Sequence, residues 1–252
     1  MQNTVATLGF GAILIAVACN MDPVATNSPN TANASDEKST PKPLVEDVLT
    51  KEERDAMTPD EVLDLFKEGN KRFINNDLTA RDHSAQVRAS ANGQFPKAVV
   101  LSCLDSRVPV EDVFDRGIGD IFVGRVAGNF VNEDMLGSME FGCKVAGSKL
   151  ILVMGHEHCG AVKAAVDNVK LGNITAMLSK ILPAVEMVEY SGDRTSKNEE
   201  FVHMVCESNV RNTLNQIREN SEILNQMEQE GEIKMAGAIY DMDSGVVEFL
   251  EE

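Results

Sequence analysis

Three short runs of apolar and β-branched residues, each followed by a helical pattern, constrain the fold more than any other feature of this sequence. The runs are Lys97–Ser102 (KAVVLS), Asp120–Val126 (DIFVGRV) and Lys149–Gly155 (KLILVMG). Continuous apolar runs of this length are typical of strands that are buried on both faces of a parallel sheet. Strands that alternate with helices predict an α/β fold, in which helices flank both faces of a central, mostly parallel β-sheet.

Helical patterns and a C-terminal hairpin complete the predicted fold. An N-terminal helical arm is predicted from Thr58 onwards, because apolar residues recur at helical spacing as far as Phe73. Further helices are predicted over 134–146, 160–171, 174–190 and 199–228. The C-terminal sequence IKMAGAIYDMDSGVVEFLEE predicts two strands joined by a turn at Asp243–Gly245, which gives the sheet an antiparallel C-terminal strand.

The N-terminus has the features of an export signal. Residues 1–18 contain no Asp, Glu, Lys or Arg, and Val5–Ala18 is a mostly apolar run. Roughly 20 apolar residues are needed to span a membrane, so this run fits a signal peptide better than a transmembrane helix. Small residues precede Cys19, which resembles the lipidated cysteine of bacterial lipoproteins. We expect a periplasmic or cell-envelope protein, lipid-anchored at Cys19; a simply cleaved signal and an apolar tail on a cytoplasmic protein are the alternatives.

The segment that follows is unlike a folded domain. It contains four of the eight prolines of the chain, together with many Asn, Ser, Thr and Ala residues. This composition buries too little apolar area to offset the entropy lost on ordering, so we predict a flexible tether over 19–45 and a folded domain over 46–252.

The net charge of −17 argues against nucleic acid as a partner. Membrane contact is therefore expected only through a lipid on Cys19.

Two clusters of chemically active residues come directly after two of the predicted strands. Cys103, Asp105 and Arg107 follow the first strand, and His156 and Cys159 follow the third. Ligands of open α/β sheets bind at the carboxyl ends of strands, so we expect the two clusters to converge. Two thiolates and one imidazole suit zinc. Each cluster alone would more often be ordinary core residues, but two clusters at neighbouring strand ends favour a metal site.

The same residues resemble the motifs of a known enzyme family. The string CLDSRVPVEDVFD at 103–115 resembles the C-x-D-x-R motif of β-class carbonic anhydrases, and GHEHCG at 155–160 resembles their G-H-x-x-C-G motif. The similarity extends over most of residues 50–252. It implies reversible hydration of carbon dioxide to bicarbonate and a proton by zinc-bound hydroxide. It also implies one Zn²⁺ per subunit and a homodimer or larger assembly.

The resemblance assigns roles to single residues. Zinc would be held by Cys103, His156 and Cys159. Asp105 and Arg107 would form a dyad that orients the zinc-bound water. Asp105 would also gate the site, because its carboxylate either fills the fourth metal position or pairs with Arg107 and leaves zinc open. The expected substrate-binding residues are Gln94, Val108, Phe122, Phe141 and Gly160, with Phe141 lining the pocket of a second subunit.

Several alternatives stay open at this point. Relatives with the same motifs hydrolyse carbon disulfide or carbonyl sulfide, and the motifs do not separate these substrates. A non-enzymatic zinc protein with a closed Cys₂HisAsp site is a further alternative, although a permanently bound Asp105 would not need Arg107. His158 is expected beside the ligands or at the surface, or as a proton shuttle. Cys143 and Cys206 are core residues or a disulfide pair.

Overall fold

The computed structural model of the chain describes residues 43–251. The predicted signal peptide, the lipidation site Cys19 and most of the predicted tether lie outside the described residues. The last tether residue, Val45, forms a parallel β-bridge with Arg81, and its N–H donates to the carbonyl of Ala80 at 2.9 Å. Packing against the domain therefore begins at the end of the predicted tether. Within residues 43–251, no helix is both long enough and apolar enough to cross a membrane.

One sheet of five strands forms the centre of the described part of the chain, in the order β2-β1-β3-β4-β5. The strands are β1 (Ala98–Ser102), β2 (Ile121–Arg125), β3 (Leu150–His156), β4 (Lys234–Tyr240) and β5 (Val247–Phe249). Neighbouring strands from β2 to β4 are parallel, and β5 is antiparallel to β4. The mostly parallel sheet and its antiparallel C-terminal strand are confirmed.

Ten α-helices surround this sheet within residues 43–251. They are α1 (Lys51–Ala56), α2 (Pro59–Ile74), α3 (His83–Ser90), α4 (Val110–Val113), α5 (Glu133–Glu140), α6 (Gly160–Val166), α7 (Gly172–Leu178), α8 (Leu182–Met187), α9 (Glu199–Asn220) and α10 (Glu222–Gln229). A π-helical segment, Phe141–Val145, continues α5.

Helices cover both faces of the sheet, as the apolar strands predict. Every residue of β1 is buried, and alternate side chains point to opposite faces. Val99 and Leu101 belong to the core that includes residues of α6 and α9, whereas Ala98 and Val100 belong to the core that includes residues of α2 and α4. Cys103 continues the alternation of Val99 and Leu101 and therefore lies on the same face of the sheet as α9.

Capping boxes begin the first two helices of the N-terminal helical region. Thr50 and Thr58 accept hydrogen bonds from the backbone N–H of Glu53 and Glu61, whose carboxylates accept the cap N–H groups in return. The predicted helix from Thr58 is confirmed as α2. Phe66 on its apolar face is fully buried against the chain's own sheet, so α2 covers the sheet and does not extend as a free arm.

Four predicted helices differ in detail from the structure. The pattern over 174–190 forms two helices, α7 and α8, and Pro183 lies in the first turn of α8, a position that tolerates its missing N–H. The pattern over 199–228 divides at Ser221, whose hydroxyl caps α10 by accepting from the N–H of Leu224 at 3.2 Å. Helix α6 is shorter than predicted, and the helix predicted over 134–146 ends in the π-helical segment.

Candidate metal centre

The carboxyl ends of β1 and β3 bring three metal-type ligands together. Cys103 directly follows β1, His156 ends β3 and Cys159 precedes the first residue of α6. Each of the three residues is at most 4% exposed. Their ligand atoms all lie within 4.8 Å of one another. The predicted convergence of the two sequence clusters is therefore confirmed.

The geometry of these three residues fits a zinc ion. The sulfur atoms of Cys103 and Cys159 are 3.9 Å apart, and two thiolates on tetrahedral zinc, with Zn–S bonds of about 2.3 Å, would lie about 3.8 Å apart. Nδ1 of His156 lies 2.8 Å from the carbonyl oxygen of Glu157 and therefore carries the proton. Its Nε2 is buried without a hydrogen-bond partner among the described residues. A buried imidazole lone pair beside two thiols is what a metal ligand requires.

The two thiols affect each other's ionisation. The hydrogen bond from Cys159 holds the pKa of Cys103 below its ordinary value, and the backbone N–H of Gly128 acts in the same direction. The pKa of Cys159 is raised, because its thiol hydrogen-bonds to Cys103 and because it is buried. Two buried thiolates at this distance repel each other unless a cation lies between them. The donor set is thus arranged for a divalent cation, whose binding releases the remaining thiol proton.

An ion pair between Asp105 and Arg107 lies beside the three ligands. Nε and Nη2 of Arg107 donate to the two carboxylate oxygens of Asp105 at 2.9 and 2.7 Å, and its backbone N–H donates at 3.0 Å. The guanidinium hydrogen bonds hold the pKa of Asp105 well below its usual range. Oδ2 of Asp105 is also 3.8 Å from Nε2 of His156. In this structure the carboxylate is paired with Arg107 and lies next to the ligand group.

The predicted substrate-binding residues do not all gather around the ligands of one chain. Gln94 is exposed and precedes β1. Eight residues separate it from Cys103, and five of them form β1, in which each residue advances the chain by about 3.3 Å. Phe122 and Phe141 line a groove of about 720 Å³ whose other lining residues include Val99 but not the three ligands.

The remaining two predicted substrate-binding residues, Val108 and Gly160, differ in burial and in their place in the fold. Val108 is buried in the core on the α2 face of the sheet, whereas Phe122 packs on the α9 face. Gly160 is the first residue of α6, directly after Cys159, and is exposed. Val108 and Phe122 thus belong to different hydrophobic cores of the described chain.

The other histidine and cysteine candidates lie outside the ligand group. His158, held at a positive φ of 54°, lies with Glu157 and Asp243, where ligand atoms of the three residues are within 4.8 Å of one another. Cys143 and Cys206 are buried, free thiols and do not form a disulfide. Burial raises the pKa of each of these thiols to about 12, so both are unreactive core residues.

Two residues outside the motifs also bind the Cys103 segment. The backbone N–H of Gly128 donates to the sulfur of Cys103 at 3.3 Å. The guanidinium of Arg125 donates to the carbonyl oxygens of Cys103 and Val108 at 3.1 and 2.8 Å. The Gly-Asn pair at 128–129 is a turn signal in the sequence, but it does not reveal that the turn faces a thiol.

Comparison with known proteins identifies the family. A family model described as carbonic anhydrase matches residues 98–247. Carbonic anhydrase 2 from Mycobacterium tuberculosis is 34% identical over 186 residues, which cover 71% of this chain and 87% of that protein. The chain belongs to the carbonic anhydrase family. Its enzyme class, predicted from the two motifs, is confirmed by these relatives.

Solved β-carbonic anhydrases have the same fold. The Coccomyxa β-carbonic anhydrase in complex with acetazolamide superposes with a TM-score of 0.60 at 23% identity, over 76% of this chain and 85% of that one. A tetrameric β-carbonic anhydrase from Sordaria macrospora gives a TM-score of 0.56 at 21% identity, over 64% of this chain and 84% of that one. At these identities the likeness concerns the fold, and it confirms the β-class architecture of this carbonic anhydrase.

Proposed function

We propose that this carbonic anhydrase catalyses the reversible hydration of carbon dioxide to bicarbonate and a proton at one zinc ion held by Cys103, His156 and Cys159. The observation that carries the proposal is the buried Nε2 of His156, which has no hydrogen-bond partner within residues 43–251 and lies beside two thiols 3.9 Å apart. Bound zinc would supply a Lewis acid that activates water. The family and the fold support the same reaction.

Asp105 would orient the attacking water in this proposal. Its pKa is kept low by Arg107, so the carboxylate stays ionised and accepts a hydrogen bond at Oδ2. A carboxylate with so low a pKa holds a water molecule in position better than it stores a proton. Arg107, whose side chain is 56% exposed, fixes the carboxylate through its planar, two-point hydrogen bond.

The same ion pair would act as a gate. Oδ2 of Asp105 is 3.8 Å from Nε2 of His156, so a rotation of the side chain would bring it to the fourth position of the metal. Bound there, the carboxylate would exclude water, because structural zinc sites with four protein ligands have no open position. Arg107 competes for that carboxylate and favours the open arrangement. This competition is the function that we propose for the Asp105–Arg107 pair.

A second copy of the chain would complete the substrate pocket. Gln94, Phe122 and Phe141 lie away from the ligands of their own chain, and Phe141 is 53% exposed. We propose a homodimer or larger assembly in which these residues face the ligand group of a second copy. The tetrameric Sordaria relative supports assembly of this kind.

We further propose that the protein is exported and carries lipid on Cys19. The apolar run Val5–Ala18 and the small residues before Cys19 support this proposal. Mass spectrometry of the native mature protein should find an N-terminal, diacylglyceryl-modified Cys19. A mature protein that begins at Met1 would contradict it.

Stopped-flow hydration of carbon dioxide by the purified full chain tests the catalytic proposal, with zinc measured on the same samples. We expect activity in proportion to zinc content, up to one zinc per subunit. Cys159→Ser should lose both zinc and activity, whereas the control Cys143→Ala, at a buried thiol outside the ligand group, should retain both. A protein that holds one zinc per subunit and does not accelerate hydration would overturn the proposal.

A further inference from the structure

Helix α9 directs two buried polar side chains at the loop that follows β2. Asn209 and Thr213 are each 1% exposed and lie one helical turn apart. Nδ2 of Asn209 donates to the carbonyl oxygen of Gly128 at 2.8 Å, and the hydroxyl of Thr213 donates to that of Asn129 at 3.3 Å. A buried amide is costly unless it is hydrogen-bonded. These two hydrogen bonds to successive backbone carbonyls hold the loop in a fixed position against α9.

The loop itself has a narrowly defined conformation. Gly128 has a φ of +87°, which residues with a side chain rarely adopt, and a Cβ at this position would lie 2.4 Å from Cδ1 of Ile181. The N–H of Asn129 closes a tight turn by donating to the carbonyl of Val126 at 3.0 Å. In this turn the N–H of Gly128 points at the sulfur of Cys103, 3.3 Å away.

We propose that Asn209 is a positioning residue for the metal thiolate: by holding the carbonyl of Gly128, it keeps the N–H of the same residue on the sulfur of Cys103. The inference rests on the zinc function proposed above and extends it to a residue that lies outside both motifs. Asn209 is 81 residues further along the chain than Gly128, and its side-chain amide is linked to Cys103 through that glycine.

The hydrogen bond from Gly128 also changes the charge on the sulfur of Cys103. A hydrogen bond to a thiolate withdraws negative charge from the sulfur, so less charge is donated to the bound metal. A metal that receives less charge is a stronger Lewis acid and polarises water more strongly. This matters at a donor set with two thiolates, which already neutralise the charge of a divalent cation. Asn209 would therefore raise the reactivity of the site without contacting the metal or the substrate.

Cadmium-113 substituted for zinc provides a direct test, because thiolate sites bind cadmium and the nucleus couples to an amide proton across an N–H···S hydrogen bond. We expect a measurable coupling between cadmium and the Gly128 amide proton in the full-length wild-type protein. Asn209→Leu should lose this coupling. The matched control Thr213→Val removes a hydrogen bond of the same helix to the neighbouring carbonyl, and should keep the coupling.

The outcomes separate this inference from the catalytic proposal. Coupling that persists in Asn209→Leu, or that disappears equally in Thr213→Val, would overturn the role of Asn209, whatever the activity of the wild type. Lack of hydration by the zinc-loaded wild type would overturn the catalytic proposal alone. If Asn209→Leu does not fold, Asn209→Ala is measured in its place, with the same expected loss. In the zinc enzyme we expect the folded Asn209 variant to retain metal and to lose about 10-fold or more in kcat.

Discussion

The carboxylate of Asp105 accepts two hydrogen bonds from the guanidinium of Arg107, at 2.9 and 2.7 Å, while the same carboxylate lies 3.8 Å from Nε2 of His156. The guanidinium is more than half exposed, so solvent screens the pair and it adds little to folding stability. The pair instead sets the orientation of the Asp105 carboxylate. In the gate proposed above, Arg107 turns the carboxylate away from the position that a fourth metal ligand would occupy.

Arg107→Ala should therefore inactivate the enzyme without removing its metal. With the guanidinium gone, Asp105 is free to turn towards the metal, and the three ligands Cys103, His156 and Cys159 are untouched. We expect kcat for hydration to fall about 10- to 100-fold at unchanged zinc content. Stopped-flow assays and metal analysis on the same preparation check this.

The matched control for this experiment is Arg211→Ala. Arg211 is an exposed arginine outside the ligand group, and its guanidinium donates to the backbone carbonyl of Glu251. This variant should have wild-type activity. Wild-type turnover by zinc-loaded Arg107→Ala would show that the gate does not exist.

Mixing two inactive variants should restore activity if Gln94 serves a second subunit. Gln94→Ala keeps its zinc ligands, and Cys159→Ser keeps its glutamine. In a mixed dimer, the intact zinc site of the first chain would face the intact glutamine of the second. Dissociation and reassociation of an equal mixture should give on the order of a quarter of the wild-type activity per site, because half of the dimers are mixed. Activity no higher than that of the two separate variants would place Gln94 in its own chain's site.

Much of the fold and the ligand group could be predicted because both depend on local patterns. Apolar runs such as Lys149–Gly155 predict strands buried on both faces, and the first and third strands are neighbours in the sheet. Cys103 and His156 each come at the end of such a strand, so their convergence follows from parallel topology alone. The donor set then indicates zinc from its chemistry.

The features that could not be predicted depend on tertiary contacts or on a second chain. The amphipathic pattern continues across Ser221, so only the packed structure shows that the chain turns there and begins a new helix. Asn209 looks like an ordinary polar residue of α9 until its contact with Gly128 is seen. Val108 and Phe122 are both apolar and close to the motifs, but side chains of neighbouring elements can lie on opposite faces of a sheet.

Removal of zinc should lower the thermal stability of the enzyme. Metal bound only by the native state stabilises it by about 4 kcal/mol when present at a thousand times its Kd, which for a chain of this size is a shift in Tm of about 8–15 °C. Calorimetry with and without a chelator measures the shift, and added zinc should reverse it. Cys159→Ser should show no chelator effect. Equal Tm values for metal-loaded and metal-free wild type would argue against Cys103, His156 and Cys159 as a zinc site.

Asp115 should make the unfolding free energy depend on pH in the acid range. Its side chain is fully buried and accepts hydrogen bonds from Arg72, from Arg81 and from the hydroxyl and N–H of Thr79. Burial acts to raise the pKa of Asp115, but these hydrogen bonds outweigh burial and hold it well below its usual range. The stabilisation is therefore complete above the unfolded pKa of about 3.9 and is lost as the pH falls towards the lower folded pKa.

Asp115→Asn tests this contribution, because asparagine tolerates the positive φ of 50° at this position. Without the carboxylate, two guanidinium groups lose their counter-charge, and we expect a loss of about 3 kcal/mol at pH 7. Urea unfolding between pH 7 and pH 3 should show the difference from wild type shrinking below about pH 4, since the unfolded wild type begins to bind a proton at Asp115 there and the folded protein does not. The control Asp64→Asn, at an exposed ion pair with Lys67, should change the unfolding free energy little at any pH. A difference between wild type and Asp115→Asn that stays constant from pH 7 to pH 3 would show that Asp115 stabilises the fold by shape and not by charge.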